Sequence, residues 1–345
     1  MNYFLETIGK KFHLSGNLLD SKLLTNGGIH DSYQVIYLNP DFTKKYYIFQ
    51  KMNRIAFQNP EIMMQNIAVV ANYLKNNYPD MQILEFYQTE NQNYFYQNFR
   101  VMNFIQGENM RICNNLVQIQ QAGKAFGQFH ARLSGLDSTK LKQTIPNFHA
   151  TPEYMKKLKL FENQNLPELK ILESMQERAC EIFNFYQNKK LPFRIVHNDM
   201  KCSNLLFHKF TGKAIVIDWD TISNGMLVYD FGDAVRSFAS KTVSDDLNFN
   251  AIGIDLQKFQ AFATGYLQET KNFLTPEEKS VLVQAVFTVT VELATRYLLD
   301  YLQGNIYFKI SYPEHNLIRA RNQIELAKNI SANAKAMQEI ILNII

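Results

Sequence analysis

Cysteine is scarce in this 345-residue chain, which contains only Cys113, Cys180 and Cys202. The three cysteines are widely spaced, odd in number and outside any CxxC pair. This spacing argues against a disulfide framework and against a cysteine zinc site, and free thiols are typical of a reducing compartment. We therefore expect a cytoplasmic protein, in which Cys202 is a packing residue.

A strong excess of one charge is also missing. The 36 basic and 32 acidic residues leave a net charge of +4, and no dense run of Lys and Arg occurs. Because nucleic-acid binding depends on concentrated positive charge, we expect no nucleic-acid partner. Residues 1–13 lack the apolar core of a signal peptide. The most apolar long segment, 281–299, contains Glu292 and Arg296, so we predict a buried helix and no membrane partner.

No internal repeat or low-complexity linker interrupts the chain, but its character changes near residue 106. The upstream part has β-like patterns interrupted by one helical pattern that Pro60 opens. Its predicted strands are 32–38, 46–50, 83–88 and 94–104, and its predicted helix is 60–75. The downstream part is mainly helical, with three short β-like runs in its middle. Its predicted helices are 116–133, 167–188, 256–269, 276–302 and the tail from 313, and its predicted strands are 193–197, 205–208 and 214–217.

This order predicts an α+β fold with two lobes, arranged as in protein kinases. We assign residues 1–105 to a small, β-rich, nucleotide-binding lobe. Residues 106–345 form a larger, mainly helical lobe for catalysis and substrate binding. Ligands commonly bind at the interface of such lobes.

One stretch of the second lobe carries the chemistry. Asp199 follows His197-Asn198, Asn204 comes five residues later, and Asp218 comes fourteen residues after Asn204. Phosphoryl transfer to a hydroxyl needs a carboxylate that receives the hydroxyl proton, and an amide and a second carboxylate that hold Mg²⁺ against the ATP phosphates. We therefore predict Asp199 as the base and Asn204 and Asp218 as the metal ligands.

The residues next to this motif are interpreted one by one. Lys201 can reach the γ-phosphate of ATP as a catalytic cation, or be an exposed loop lysine. His197 is interpreted as a structural histidine that bonds the backbone. Asp220 can support the metal, face the substrate or pair with an arginine. The sequence Asp230-Phe231-Gly232 spells the magnesium motif of protein kinases but comes too late. We expect Asp230 to cap a helix that begins here and to brace the catalytic loop.

The nucleotide side of the motif set is incomplete. No GxGxxG is present, but Gly27 and Gly28 lie in a turn whose backbone amides could cover the phosphates. Protein kinases place a phosphate-holding lysine on the third strand. Here that strand offers Gln50 and then Lys51, and alternation lets only one of them face the nucleotide. We take Gln50 as the candidate, and Glu61 is a poor match for the helix glutamate that usually pairs with the lysine.

With these residues assembled, the chain resembles the aminoglycoside phosphotransferase and choline kinase superfamily. The resemblance rests on a catalytic loop of form HxDxxxxN at 197–204 and on Ile217-Asp218-Trp219. Within the superfamily, the chain is similar to the N-acetylhexosamine 1-kinases. The segments that carry this second resemblance are 28–33, 47–53, 197–199, 228–236, 295–302, 307–309 and 315–321.

The resemblance implies an ATP- and Mg²⁺-dependent kinase that phosphorylates the anomeric hydroxyl of an N-acetylhexosamine. It implies that Asp199 also meets the sugar and that four further residues are sugar-binding candidates: His30, Arg236, Arg296 and Tyr307. Alternatively, Arg236 and Arg296 form structural ion pairs with Asp218, Asp220 or Asp300.

Other functions stay open at this point. The acceptor could be another sugar, a choline-like amino alcohol or an aminoglycoside, and the chain could be a ligand-binding pseudokinase. A small molecule and ATP are the expected partners. The sequence leaves the oligomeric state and the physiological acceptor open.

Overall fold

The computed structural model describes residues 2–24, 29–188 and 190–345. Two structural units follow one another along the chain, Met1–Gly107 and Glu108–Ile345. The first is built around an antiparallel sheet and the second is mainly helical. The assignment of nucleotide binding to residues 1–105, and of catalysis and substrate binding to 106–345, stays a prediction.

The first unit is a four-stranded antiparallel sheet with two helices. In sheet order its strands are β1 (Asn17–Leu24), β2 (Asp31–Leu38), β3 (Lys44–Lys51) and β4 (Phe99–Asn103). One face of β3 places Tyr47 and Phe49 in a core that also contains Leu5 and Ile8 of helix α1 (Asn2–Gly9). Helix α2 (Pro60–Asn77) begins after Asn59, whose side chain accepts a hydrogen bond from the N–H of Ile62.

The predicted strand at 83–88 is wrong. Within that segment Phe86 forms only an isolated bridge to Met102, and the run 94–104 shortens to β4. The aromatic and β-branched residues of 83–88 are typical of a strand, but strand propensity depends on tertiary context, and this segment forms no regular ladder. Helix α1 was not predicted from the sequence. It packs into the core on the sheet face that carries Phe49.

A two-residue strand spans the boundary between the units in sequence, and the second unit continues with nine α-helices and four short strands among the described residues. The strands are β5 (Gly107–Glu108), β6 (Arg194–Val196), β7 (Leu205–His208), β8 (Ala214–Val216) and β9 (Ser223–Gly225). Antiparallel pairs form between β6 and β9 and between β7 and β8. The helices are α3 (Leu116–Leu133), α4 (Thr151–Leu158), α5 (Pro167–Ala179), α6 (Glu181–Gln187), α7 (Leu227–Phe238), α8 (Leu256–Thr270), α9 (Pro276–Ser280), α10 (Leu282–Leu302) and α11 (His315–Leu342).

Helices α3 and α8 approach so closely that their crossing admits only glycine. A Cβ atom added to Gly265 would lie 2.0 Å from the carbonyl oxygen of Gln120, and one added to Gly123 would lie 2.2 Å from that of Phe262. Any side chain would therefore force the two backbones apart. This contact brings His130 of α3 and Tyr266 of α8 within hydrogen-bond distance, and both residues support the catalytic loop.

Helix α10 is the buried helix predicted around 281–299. Among the described residues it alone is long and apolar enough to cross a membrane, but 78% of its most apolar window is buried inside the protein. A buried core helix passes the same test of length and composition. Two predicted helices are interrupted: 167–188 divides at Cys180 and 276–302 divides at Val281.

Candidate active site

The motif with Asp199 occupies the loop between β6 and β7, as the sequence predicts. The β7–β8 ladder pairs Leu205 with Val216, and the N–H of Ile217 donates to the carbonyl oxygen of Asn204 at 3.0 Å. Asn204 and Asp218 therefore lie next to each other at one end of this ladder. The sheet hydrogen bonds hold the two predicted metal ligands side by side although they are far apart in sequence.

One oxygen of Asp199 receives two donors. The Nζ of Lys201 lies 2.6 Å from Oδ2, and the Nδ2 of Asn204 lies 2.8 Å from the same atom. Asn204 also donates to the backbone carbonyl of Asp199 at 2.8 Å. These contacts fix the carboxylate through Oδ2, and within the described residues its other oxygen, Oδ1, accepts no hydrogen bond. Lys201 is thus paired with Asp199 rather than being a solvated loop lysine.

The electrostatics of the loop keep Asp199 ionised. Burial by itself would raise the pKa of Asp199, but the Lys201 ammonium and the Asn204 amide lower it below its ordinary value. Burial would lower the pKa of Lys201, but Asp199 and Asp218 raise it. Both groups are therefore charged at neutral pH. A weakly basic carboxylate suits phosphoryl transfer, in which positioning matters more than basicity.

The predicted metal ligands offer hard oxygen atoms. Because the amide nitrogen of Asn204 is used by Asp199, its amide oxygen is the atom left for a cation. Asp218 has a left-handed backbone with φ of 63°, a conformation that Asp tolerates better than most residues. One amide and one carboxylate fit Mg²⁺, which takes few protein ligands and completes its shell with phosphate oxygens and water. In the described part of the chain, no group of three or more His, Cys, Asp or Glu side chains could hold a metal alone.

Asp230 supports the catalytic loop through hydrogen bonds to its backbone. Its buried carboxylate accepts hydrogen bonds at 2.6 Å from the backbone N–H groups of both His197 and Asn198. The Nε2 of His130 lies 2.9 Å from the same carboxylate, and the other ring nitrogen of His130 lies 2.8 Å from the hydroxyl of Tyr266. The predicted bracing role is confirmed. The predicted capping role is wrong, because α7 begins at Leu227 and Asp230 lies inside its first turn.

Further bonds fix the ends of the loop. The Nε2 of His197 lies 2.9 Å from the carbonyl oxygen of Ile217, which confirms its structural role. Asn198, in a left-handed conformation with φ of 65°, donates to the carbonyl oxygen of Thr221 and to the hydroxyl of Ser223, both at 2.8 Å. Burial raises the pKa of the Cys202 thiol to about 12, which fits packing and opposes a nucleophilic role.

Arg236 lies on α7 beside the catalytic loop. Its guanidinium pairs with Asp233 one turn earlier, at 2.7 and 2.9 Å, and donates to Gln323 at 3.3 Å. The expected alternative, an ion pair with Asp218, Asp220 or Asp300, is wrong, because the partner is Asp233. The sequence contains a signal for this pair that was not used: Asp233 and Arg236 are three residues apart, a spacing at which side chains of one helix meet. Arg236 and Lys201 both line one pocket of the second unit, together with Arg111, Tyr297, Gln323 and several hydroxyl side chains.

Arg296 is surrounded by aromatic rings, which we call the aromatic bowl. The bowl consists of Phe148, Tyr154, Tyr307 and Phe308, whose ring centres lie 4.7, 5.7, 5.8 and 5.7 Å from the Arg296 Cζ. Within the described part of the chain, the guanidinium makes no hydrogen bond. The structure thus brings Arg296 and Tyr307, two predicted sugar-binding residues, to one place.

Asp300 builds the turn that supplies two rings of the bowl. Its carboxylate accepts backbone hydrogen bonds from Ile306, Tyr307 and Phe308 at 2.9, 2.8 and 2.9 Å. Asn316 donates to the same carboxylate at 2.9 Å. Asp300 therefore positions the aromatic rings instead of pairing with Arg296. Sequence reasoning missed this role because the bonded residues are six to eight positions away in an irregular segment.

A buried ion pair lies behind the bowl. The Nδ1 of His149 is 3.0 Å from Glu292, whose other oxygen accepts from the hydroxyl of Thr151 at 2.7 Å. His149 has a left-handed backbone with φ of 60° and directly follows Phe148. Glu292 lies one helical turn before Arg296 on α10. The pair therefore anchors the loop that presents Phe148 to the guanidinium.

The remaining predicted residues belong to the first unit. Gly27 and Gly28 lie outside the described residues. His30 is buried, accepts a hydrogen bond from the N–H of Asn53 at 2.9 Å and packs on Phe57. Gln50 is half-buried and hydrogen-bonded to its cross-strand neighbours, whereas Lys51 is exposed. The roles of His30 in sugar binding and of Gln50 in nucleotide binding stay predictions.

Replacing Asp230 with Asn tests the brace. The neutral amide cannot accept two charge-assisted backbone bonds and keep His130, so we expect the free energy of unfolding to fall by about 2–4 kcal/mol. Because the loop carries Asp199, kcat should fall at least about tenfold. Urea denaturation and steady-state kinetics measure the two effects. The exposed Asp137→Asn is the control, and wild-type kcat in Asp230→Asn would contradict the assignment.

The His149–Glu292 pair should make stability depend on pH. Burial opposes the charge on both groups, but their mutual attraction lowers the pKa of Glu292 below 4.5 and raises that of His149 above 6.5. The Glu292 contribution is complete above pH 4.5 and is lost as the pH falls through its folded pKa. The His149 contribution is complete below pH 6.5 and is lost as the pH rises through its folded pKa.

The stability difference between wild type and Glu292→Gln should therefore be largest between pH 4.5 and 6.5. Urea denaturation of both proteins inside this window and on either side of it measures the difference. A difference that does not change with pH would show that the pair is not ionised.

Comparison with known proteins agrees with this geometry. The sequence model of the phosphotransferase enzyme family matches residues 27–261. A microcompartment-associated aminopropanol kinase aligns over 97% of this chain and 98% of its own, at 15% identity and a TM-score of 0.66. An aminoglycoside phosphotransferase from Alicyclobacillus acidocaldarius subsp. acidocaldarius DSM 446 aligns over 98% and 96%, at 12% identity and a TM-score of 0.63. An amicoumacin kinase in complex with AMP-PNP, Ca²⁺ and Ami aligns over 88% and 87%, at 14% identity and a TM-score of 0.60.

At these identities, the solved structures show the fold and not the substrate. They confirm the predicted α+β, two-lobed, protein-kinase-like class. The family match covers more than half of the 345 residues and includes the catalytic loop, Asp218 and Asp230. The chain therefore belongs to the phosphotransferase enzyme family.

Proposed function

We propose that the protein is an ATP- and Mg²⁺-dependent kinase that phosphorylates the anomeric hydroxyl of an N-acetylhexosamine to give the sugar 1-phosphate. The phosphotransferase family and the arrangement of Asp199, Asn204 and Lys201 support the reaction. One observation carries the choice of acceptor. The guanidinium of Arg296 lies in an aromatic bowl with Tyr307, and its hydrogen-bond donors are not used within the described part of the chain.

A sugar suits this combination. Apolar C–H faces of a pyranose pack on aromatic rings, while hydroxyl and acetamido oxygens accept hydrogen bonds from a guanidinium. Arg296 offers up to five such donors in a rigid plane. The guanidinium is held by ring faces rather than by a carboxylate, so a ligand oxygen would be its first strong acceptor.

Cationic acceptors fit the bowl less well. Choline-like and aminoglycoside acceptors carry positive charge, and an aromatic cage binds such a charge on its ring faces. Here Arg296 itself occupies those faces, so an ammonium group would meet a cation. In the pocket lined by Lys201 and Arg236, each of these cations is already paired with a carboxylate. Among the described residues that line this pocket, three are basic and none is acidic, so the pocket disfavours a cationic acceptor.

The mechanism assigns one task to each residue. Oδ1 of Asp199 accepts a hydrogen bond from the acceptor hydroxyl, directs it at the γ-phosphate and takes its proton. The Asn204 amide oxygen and the Asp218 carboxylate would hold Mg²⁺, which when bound offsets the negative charge of the phosphates. Lys201 moves from Asp199 toward the transferring phosphoryl group or stabilises it from where it lies. Such an enzyme would act in the cytoplasm, where ATP is supplied.

Replacing Asp199 with Asn should remove the reaction and leave nucleotide binding. The amide preserves shape but cannot accept the proton, so kcat should fall by about 10²–10⁴-fold. ADP release and calorimetric titration with ATP measure the two properties. Wild-type turnover in Asp199→Asn would overturn the assignment of the base. Loss of ATP binding in the same variant would show that it disturbs more than the base.

A panel of acceptors identifies the substrate. N-acetylglucosamine, N-acetylgalactosamine, glucose, choline and an aminoglycoside are incubated with Mg-ATP and followed by ADP formation and product mass. We expect turnover with the N-acetylhexosamines, and Arg296→Gln should raise their KM by about 10–100-fold with the KM for ATP unchanged. Turnover of choline or the aminoglycoside alone would contradict the sugar assignment. If no acceptor is phosphorylated, the pseudokinase alternative is favoured.

A further inference from the structure

Gln50 of β3 lies on the sheet face of its register partner Arg100, whereas the neighbouring Lys51 lies on the opposite face. In protein kinases a lysine of the third strand holds the nucleotide phosphates and pairs with a glutamate of the following helix. Here the third strand carries Gln50, and the following helix, α2, offers Met64 at the contact. The cation directly opposite Gln50 is Arg100 on β4.

Three side chains form a row across neighbouring strands. Ser32 of β2 is the register partner of Gln50 of β3, and Gln50 is the register partner of Arg100 of β4. Directly paired residues of antiparallel strands point to the same face. We call Ser32, Gln50 and Arg100 the cross-strand row.

The hydrogen bonds of the row run in one direction. The Nε and Nη2 of Arg100 both donate to the Oε1 of Gln50, at 2.9 and 2.5 Å. With its oxygen held by a cation, the Gln50 amide presents its nitrogen on the other side, and Nε2 donates to the hydroxyl oxygen of Ser32 at 2.9 Å. Arg100 is 2% exposed and Ser32 9% exposed, so both bonds are shielded from water.

This direction leaves the Ser32 proton for a ligand. A hydroxyl has one donor and two acceptor lone pairs, and Gln50 occupies an acceptor position of Ser32. Within the described residues, the Ser32 hydroxyl donates to no acceptor. A chain of aligned donors polarises its last member, and here the first member is a cation. The remaining O–H of Ser32 is therefore a strengthened donor, which suits an anionic oxygen.

We propose that the cross-strand row recognises the phosphates of ATP in place of the lysine that protein kinases use. The Ser32 hydroxyl donates to a phosphate oxygen, and Gln50 and Arg100 are positioning residues that orient and polarise it. In sequence, Ser32 lies four residues after Gly28, one of the two glycines predicted to cover the phosphates. The inference rests on the proposed use of ATP.

The sharpest test is Gln50→Glu, because it keeps the shape of the row and reverses its direction. A glutamate would still pair with Arg100, so the fold should be retained. It has no N–H to donate, and its second oxygen would accept the Ser32 proton that the row otherwise offers to ATP. We expect the Kd and KM for ATP to rise about tenfold or more while the KM for the acceptor is unchanged.

Two further variants separate the members of the row. Ser32→Ala should weaken ATP binding to a similar extent as Gln50→Glu, and the double variant should be no worse than either single one, because both remove the same bond. Arg100→Met should also weaken ATP binding, with thermal unfolding monitored because a buried guanidinium is lost. Lys44→Gln, at an exposed position of β3, the strand that carries Gln50, is the control.

Calorimetric titration with ATP separates the possible results. If Gln50→Glu and Ser32→Ala bind ATP as tightly as the wild-type protein, the cross-strand row does not recognise the phosphates. The proposed kinase function would be unaffected by that result. Failure of the wild-type protein to bind ATP would overturn both. Additive effects of Ser32→Ala and Gln50→Glu would show that they act separately and would contradict the single chain of donors.

Discussion

The geometry of the candidate active site depends on one buried carboxylate, that of Asp230. Asp230 accepts backbone hydrogen bonds from His197 and Asn198, and thereby fixes the chain immediately before Asp199. Without a partner these buried N–H groups would cost about 1–3 kcal/mol each, so the loop conformation and the carboxylate stabilise each other. His130 orients the carboxylate, and the glycine-mediated crossing of α3 and α8 in turn positions His130 against Tyr266. The helical core thus determines where the catalytic loop lies.

The aromatic bowl, the proposed sugar site, is also organised by buried carboxylates. Asp300 organises the turn that carries Tyr307 and Phe308, and the His149–Glu292 pair anchors the loop that carries Phe148. The carboxylate of Asp300 binds backbone N–H groups, and that of Glu292 binds His149 and Thr151. The Arg296 guanidinium therefore contacts the ring faces. Asp300 and Glu292 are thus hydrogen-bonded to other groups and do not pair with Arg296. The Arg296 guanidinium therefore keeps its hydrogen-bond donors for a ligand of the proposed sugar site.

Much of this could be predicted from local patterns. The helix at 116–133 and the strand at 205–208 follow directly from apolar periodicity, and the order of Asp199, Asn204 and Asp218 indicates the reaction class. The sequence also indicates that Asp230 supports the loop, because Asp218 already fills the metal position. The family match and the kinase-like fold agree with those conclusions.

The rest depends on contacts between distant segments. Nothing near Arg100 or Gln50 in the sequence shows that β3 and β4 pair them, since the strand register is set by the whole sheet. The same holds for Asp300 and the turn it organises. The capping role given to Asp230 failed because α7 begins three residues earlier, without any side-chain cap to announce its start. Local propensity identifies elements, and tertiary packing decides their ends.

The arrangement of the site requires that Asp230 hold the catalytic loop through the amides of His197 and Asn198. Amide hydrogen exchange of the wild-type protein, resolved at these two residues by NMR, tests this requirement most directly. If it is met, both amides exchange only in the global unfolding reaction, as slowly as amides in the middle of α10, although they lie in a loop. Exchange at the rate of exposed loop amides would contradict it.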